Sequence, residues 1–432
     1  LLAVVLLFES RGKKAQAAKE KTDLLVDVAS ADVQKVELKK EGDAIVFQKD
    51  DKGDWRITAP LEAKADAGEV NGLADGFAQL RIERVVEKEA KDLKTYEIPK
   101  REVSLWLKGK TTPVKILIGI ENPIDNALYA KREDDPRVVL VSSSLKTTLD
   151  KGVFDFREKD IFKFDTAQVK SVRLKSKDVS WSALRSDAGW SLETPVRALA
   201  AKSKIDGLLD SLSGLRAKEF LSEDKKPGDI KKLGLEKPAC EIALSLPTAN
   251  KEIIFSIGKS GDKSVAMTSQ SNRIIAFEGT LSADLGRKLD EIREKKVTDF
   301  TSWEADKVFV RNGSLNLTAA KEKVKDAETW VLQTAAKDPA DGAKVEAFIR
   351  KIEGLEAAGF VDDPKSLTKY GLDKPDAEIR VWTKGSDNKI IEIGLLVGKE
   401  DKAKKQVAVK NSKLGYLFIV DSAFMQDLPR DV

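Results

Sequence analysis

The chain has 432 residues, 41% hydrophobic and 34% charged, enough apolar material for several folded cores under a well-solvated surface. Its 76 basic and 72 acidic residues are interspersed and leave a net charge of only +4, so the basic face typical of nucleic-acid binding is missing and no nucleic-acid partner is expected. With no histidine and one cysteine, Cys240, the sequence excludes Ser-His-Asp and Cys-His catalysis, histidine zinc sites, cysteine-cluster metal sites and intramolecular disulfides.

Residues 1–8 read LLAVVLLF. Eight apolar residues fall short of the ~20 that cross a bilayer, so they read as the end of a transmembrane anchor. A polar, Ala/Lys-rich linker follows, with no A-x-A-like cleavage site directly after the apolar run. Residues 1–26 are assigned to anchor end and linker. Arg11, Lys13 and Lys14 run against an exported body, because positive charge favours the cytoplasmic side.

From about Asp27 the same text recurs three times with a period of about 136 residues, as in Val36, Val172 and Val308, or Phe164 and Phe300. Solenoid units run ~20–50 residues, so this period suits a domain with its own core. The modules are 27–164, 165–300 and 301–432.

Each module opens on strands and reaches a tryptophan segment: WRITAP from Trp55 to Pro60, WSLETP from Trp190 to Pro195, and WVLQTAAKDP from Trp330 to Pro339. The third carries an insertion before its proline. These tryptophans read as structural anchors that close a hairpin against the next helix. Next comes an apolar stripe spaced 3, 4, 3: Val70, Leu73, Phe77, Leu80, then Ile205, Leu208, Leu212, Leu215, then Val345, Phe348, Ile352, Leu355. That spacing predicts one face of an α-helix. Asp66 and Asp341 stand where an N-cap is expected, and Ala201 stands at the matching place in module 2.

A short β-like segment follows each helix, at Val85, Phe220 and Phe360. A turn then ends at a proline: YEIP to Pro99, LGLEKP to Pro238 and YGLDKP to Pro375. The first is shortened and lacks the glycine that gives φ > 0. Alternating strands begin at Glu102, Glu241 and Glu378, and the next strands end in Gly119, Gly258 and Gly394. Two further strands precede a short amphipathic segment running to Arg157, Arg293 or Arg430, whose expected role is a helix-end or inter-module contact. The predicted class is α+β: three tandem modules, each a mainly antiparallel sheet with one packed amphipathic helix and a short terminal helix.

The pairs Asp134-Asp135, Glu223-Asp224 and Asp362-Asp363 lie in loop-like text and do not recur, and no P-loop, GxGxxG or EF-hand string is present. No catalytic, cofactor-binding or metal-ligating residue is assigned, no cofactor is expected, and the reading is non-enzymatic. Cys240 reads as a buried strand residue. Trp106 and Trp382 fall on the same strand of their modules and are the candidate binding residues, facing solvent or a partner.

The tryptophan segment, helix, [YL]-G-L-x-x-P turn, I-x-I-G strand and the junctions REKDIFKF (157–164) and REKKVTDF (293–300) resemble the bacterial family called "domain of unknown function 4340". The resemblance covers nearly the whole chain and rests on structural motifs. It implies a single-pass protein of the bacterial inner membrane with its body in the periplasm, often encoded beside ABC-transporter subunits of the gliding-motility-associated type, and no established catalytic residues. The expected function is an extracytoplasmic scaffold or accessory subunit, with the membrane and an ABC-transporter-type or other envelope protein as partners. The alternative is a periplasmic glycan- or lipid-binding protein.

Overall fold

The computed structural model describes residues 24–431 apart from 41, 248, 250, 280, 325–326, 335–337 and 385–388. Of the residues 1–26 assigned to anchor end and linker, 1–23 lie outside the described residues, and Leu24–Val26 belong instead to module 1, where Leu25 and Val26 are buried and Leu24 bridges Arg81. The chain divides into two compact units between Lys159 and Asp160; the first holds module 1, the second modules 2 and 3.

Every module is built on one antiparallel sheet, of nine, nine and eight strands. In module 1 the chain lays down Val33–Lys40, Asp43–Lys49, Trp55–Ala59 and the two-residue Ala63–Lys64 as a meander. The helix Ala67–Ala78 then carries it to the opposite edge, where Arg84–Glu87 pairs with the last strand, Val138–Val141. A second meander returns to the centre, so Arg101–Leu107 pairs with the first strand. Module 2 repeats this order over residues 171–277 and module 3 over residues 305–421. The sheet is larger than predicted, because the tryptophan segments and, in modules 1 and 2, the two-residue strands after them join it, while the β-like segment expected after each helix pairs at the far edge. Module 3 lacks the two-residue strand: Pro339, which has no N–H to donate, makes only an isolated bridge with Val331.

The repeated valines sit at the centre of these sheets. Val36 lies between Phe47 and Leu105, Val172 between Ala183 and Leu244, and Val308 between Ala319 and Val381, and all three valines are buried. That face packs on the helix.

The predicted stripe is the helix's inward face: Val70, Leu73, Phe77 and their module 2 counterparts are buried. Each helix ends before the fourth stripe residue. Leu80, Leu215 and Leu355 follow it in extended backbone, and their carbonyls accept from the N–H of Leu25, Ile161 and Val297. Those three buried residues form a lead-in segment that also recurs at the module period. Asp66 caps its helix through the N–H of Gly68 and Glu69, and Asp341 through that of Lys344; Ala201 supplies no side-chain cap.

A smaller apolar cluster covers the opposite sheet face under each proline turn: Tyr96, Ile98 and Val138, then Leu235, Val265 and Ile274, then Leu372, Ala408 and Leu417. Gly234 and Gly371 hold positive φ there, and in the shortened first turn Glu97 takes that conformation at φ 47°. The expected glycine equivalence needs correction. A Cβ on Gly119 would overlap the Tyr96 carbonyl, and one on Gly258 would crowd Leu235. In module 3 the matching close approach, to the Tyr370 carbonyl, is made by Gly398 and not by Gly394. Register agrees: Arg101, Cys240 and Ala377 face Ile118, Ile257 and Val397, each one residue before Gly119, Gly258 and Gly398.

Candidate binding site

The lead-out end of each module shows where the three copies differ. In module 1 a helical turn, Val153–Phe156, delivers Phe156 between sheet and helix, its ring 4.8 Å from that of Phe47. The chain then pairs with the segment that opens the long helix. The Asp66 N–H donates to the Phe156 carbonyl (2.8 Å), the Glu158 N–H donates to the Lys64 carbonyl (3.0 Å), and Arg157 bridges Ala65. Module 2 repeats the arrangement. The Ala201 N–H donates to the Ile292 carbonyl (2.8 Å), the Glu294 N–H to the Leu199 carbonyl (2.9 Å), and Arg293 bridges Ala200.

Module 3 does not close in this way. Pro429 stands where Phe156 and Ile292 stand in the other copies, and its carbonyl accepts from the Asn312 side chain (2.9 Å). The Asp341 N–H, equivalent to those of Asp66 and Ala201, has no backbone partner among the described residues. The sheet is also less bulky here. Module 1 has Ile45 and Phe47 on the inner face, module 2 has Trp181 and Ala183, and module 3 has Leu317 and Ala319 at the same register positions. Ile45 and Trp181 are buried, whereas Leu317 is half-buried. The result is a cleft of about 670 Å³ between sheet and helix, with Val310, Leu317, Ala319, Val345 and Phe348 in its walls. Asp338, Asp341, Asp427 and Asp431 stand at it against Lys344 and Lys351. That volume lies in the ~300–1,000 Å³ range of ligand sites.

Arg293, from module 2, is fully buried against module 3. Its guanidinium lies over the rings of Phe360 (3.8 Å) and Tyr416 (4.8 Å) and pairs with Asp362 at 2.5 Å. Four residues on, the Val297 N–H and carbonyl are held by Leu355 and by the Asn411 amide. Arg157 is likewise buried. Arg430, the third member of the series by sequence spacing, is exposed and makes no such contact among the described residues, and the carbonyl of Pro429 before it accepts from Asn312.

The tryptophan anchors lie where the sequence put them. Trp55, Trp190 and Trp330 are buried on strands beside the helices. The Trp55 indole N–H donates to Asn71 (2.7 Å) and that of Trp190 to Asp206 (2.9 Å), both on the helix. Pro60 and Pro195 follow these strands through cis peptide bonds, as Pro99 follows Ile98. Pro238 and Pro375 stand two residues before the starts of the strands Cys240–Ser245 and Ala377–Lys384.

Trp106 and Trp382 are half-buried on the sheet face away from the helix, and a lysine ammonium covers each ring: Lys35 over Trp106 at 4.4 Å and Lys307 over Trp382 at 4.6 Å. These are cross-strand cation–π pairs, and a sugar stacking on those ring faces has to displace the lysine. Trp303 is exposed.

The carboxylate pairs are occupied. Arg137 hydrogen-bonds Asp135 and holds its carboxyl below the usual range against the opposing effect of burial. Asp362 serves Arg293, and Asp224 pairs with Lys226. Burial, with Glu241 beside it, pushes the Cys240 thiol up to about 11, which suppresses the reactive thiolate. Among the described residues no cluster of three His, Cys, Asp or Glu side chains is placed to hold a metal, and no helix is long and apolar enough to cross a membrane. A basic hollow of about 740 Å³ in module 1 includes Lys39, Lys100 and Arg101, which pair with Glu102, Glu97 and Asp150.

The module 3 cleft had no signal in any single motif. It arises from three small or displaced residues on two elements, Leu317 and Ala319 on one strand and Pro429 in the closing segment. No curated protein matches the chain. The profile described as "Domain of unknown function (DUF4340)" matches residues 55–225, 190–329 and 330–432, and the chain belongs to that family.

Proposed function

We propose that this protein is a non-enzymatic, membrane-anchored extracytoplasmic accessory subunit, and that its sheet modules bind the exposed part of an ABC-type transporter or another envelope protein. The observation that carries the binding part is the asymmetry of the repeat. Tryptophan anchors, helix stripes, proline turns and buried junction arginines recur as folding devices, while module 3 opens its sheet–helix cleft to about 670 Å³, against about 310 Å³ for the hollow at the equivalent Leu38 and Ile45 of module 1. The anchor rests on the apolar residues 1–8, and the transporter as partner rests on the family resemblance.

Affinity purification of the full-length protein from native membranes tests the reading. Stoichiometric recovery with a membrane transport protein supports it; recovery only as a partner-free protein in the cytoplasmic fraction contradicts it.

The second reading, a glycan- or lipid-binding protein, is favoured by the equivalent placement of Trp106 and Trp382 on the same sheet face. Titration with cell-wall glycan fragments and with lipid vesicles, followed by tryptophan fluorescence, decides it. A saturable change lost in Trp382→Ala supports it, and a flat response to millimolar ligand rejects it.

A further inference from the structure

We propose that the module 3 cleft accepts an extended segment of a partner polypeptide in which a bulky apolar residue is followed by arginine. This rests on the protein-binding reading above and names the chemistry of the partner.

The chain supplies two templates for the occupant. Modules 1 and 2 each close the same place with their own segment, Phe156-Arg157-Glu158-Lys159 and Ile292-Arg293-Glu294-Lys295. In both, a large side chain fills the space between sheet and helix, and two backbone hydrogen bonds tie the segment to the stretch that opens the helix. Module 3 has the receiving half of this arrangement. The Asp341 N–H has no backbone partner among the described residues where those of Asp66 and Ala201 are used, and the Pro339 carbonyl corresponds to those of Lys64 and Leu199. Addition of a short extended segment at such an edge supplies main-chain hydrogen bonds for affinity and a side-chain pocket for selectivity.

Pro429, which stands at the place of Phe156 and Ile292, does not supply the filling half. Pro429 has too small a side chain to replace Phe156, and its carbonyl is engaged by Asn312.

Charge selects among the remaining occupants. Four aspartates against two lysines leave the cleft acidic, and Lys351 and Lys344 already pair with Asp427 and Asp341. An anionic lipid or fatty acid meets a repulsive rim there, whereas an arginine beside the buried apolar residue meets attraction.

The test is fluorescence polarisation of a labelled peptide with the sequence of residues 152–159, GVFDFREK, titrated with the full-length protein. Saturable binding is expected. Peptides carrying Phe156→Ala or Arg157→Glu should bind at least about tenfold more weakly, equivalent to ~1.4 kcal/mol. In the protein, Leu317→Trp, which copies Trp181 of module 2, should fill the cleft and remove binding. The peptide variants keep the test decisive if that substitution unfolds module 3. Absence of saturable binding up to about 1 mM, equal binding of all three peptides, or binding undiminished in a folded Leu317→Trp protein overturns the proposal. So does displacement of the peptide by a fluorescent fatty acid that itself saturates the site. Peptide binding with no membrane complex would refute the transporter reading alone, and a membrane complex untouched by Leu317→Trp would refute the cleft alone.

Discussion

Trp190 donates its indole N–H to Asp206 across 2.9 Å, from a strand to a helix residue sixteen positions further on. Trp55 and Asn71 make the same bond at the same separation. In module 3 the equivalent pair is Trp330 and Glu346, and there the indole nitrogen is buried with no hydrogen-bond partner among the described residues. Glu346 is exposed and sits 3.8 Å from Arg350.

Asp206 makes module 2 acid-sensitive through this contact. Burial pushes its carboxyl pKa up, but hydrogen bonds from Lys202 and Trp190 outweigh that and hold it below the ordinary value. A depressed folded-state pKa contributes stability above the unfolded value of ~4, lost as pH falls through the folded value. Urea denaturation of wild type and Asp206→Asn should differ by about 1–2 kcal/mol at pH 7, with the gap closing as the pH falls below ~4. A gap that is constant with pH contradicts the assignment.

The unpartnered Trp330 nitrogen predicts a stabilising change. Glu346→Asn places the module 1 acceptor at the same helix position and should raise stability by about 1 kcal/mol. A thermal melt that shows no gain, or a loss, counts against the proposed equivalence of the three anchors.

Two glycines separate the sequence-based alignment from the structural one. Gly398→Ala drives a methyl group into the Tyr370 carbonyl and should cost about 1–3 kcal/mol or more. Gly394→Ala meets only the Ser412 side chain and should be tolerated far better. Denaturant midpoints of the two variants measured side by side settle the point.

The buried arginine of the second junction should matter and its sequence counterpart should not. Arg293→Ala leaves a hole against Phe360 and Tyr416, at a cost of about 2–4 kcal/mol, while the partly exposed Asp362 it leaves behind is solvated by water. Arg293→Lys should rescue little, because an ammonium does not stack as a planar guanidinium does. Arg430→Ala, at an exposed position, should fall within about 0.5 kcal/mol of wild type. Calorimetry of the full chain reads all three, and the Arg293 variants should also separate the melting of modules 2 and 3.

Periodicity made the helices legible: Val70, Leu73 and Phe77 repeat at helical spacing because one face must be buried, and no other arrangement satisfies that pattern. The tryptophan anchors were legible for the same reason. Matching of letters failed where backbone geometry decided the outcome. The string IEIG drew attention to Gly394, although the close approach to the Tyr370 carbonyl falls four residues later. Arg430 kept the right spacing, but Pro429 gives its segment a different hydrogen bond. Glu97 adopts the left-handed conformation that its glycine counterparts advertise in sequence. The cleft itself was illegible because it is a deficit of volume spread over Leu317, Ala319 and Pro429, and each residue is unremarkable alone.

Site-specific photo-crosslinking in native membranes, with the crosslinker placed at Lys344 beside the cleft, tests the central claim most directly. The account predicts a discrete adduct with the extracytoplasmic part of a membrane transport protein, mapped by mass spectrometry to an extended segment with an apolar residue before arginine. Absence of any protein adduct from Lys344, with the protein fractionating away from membranes, would contradict it.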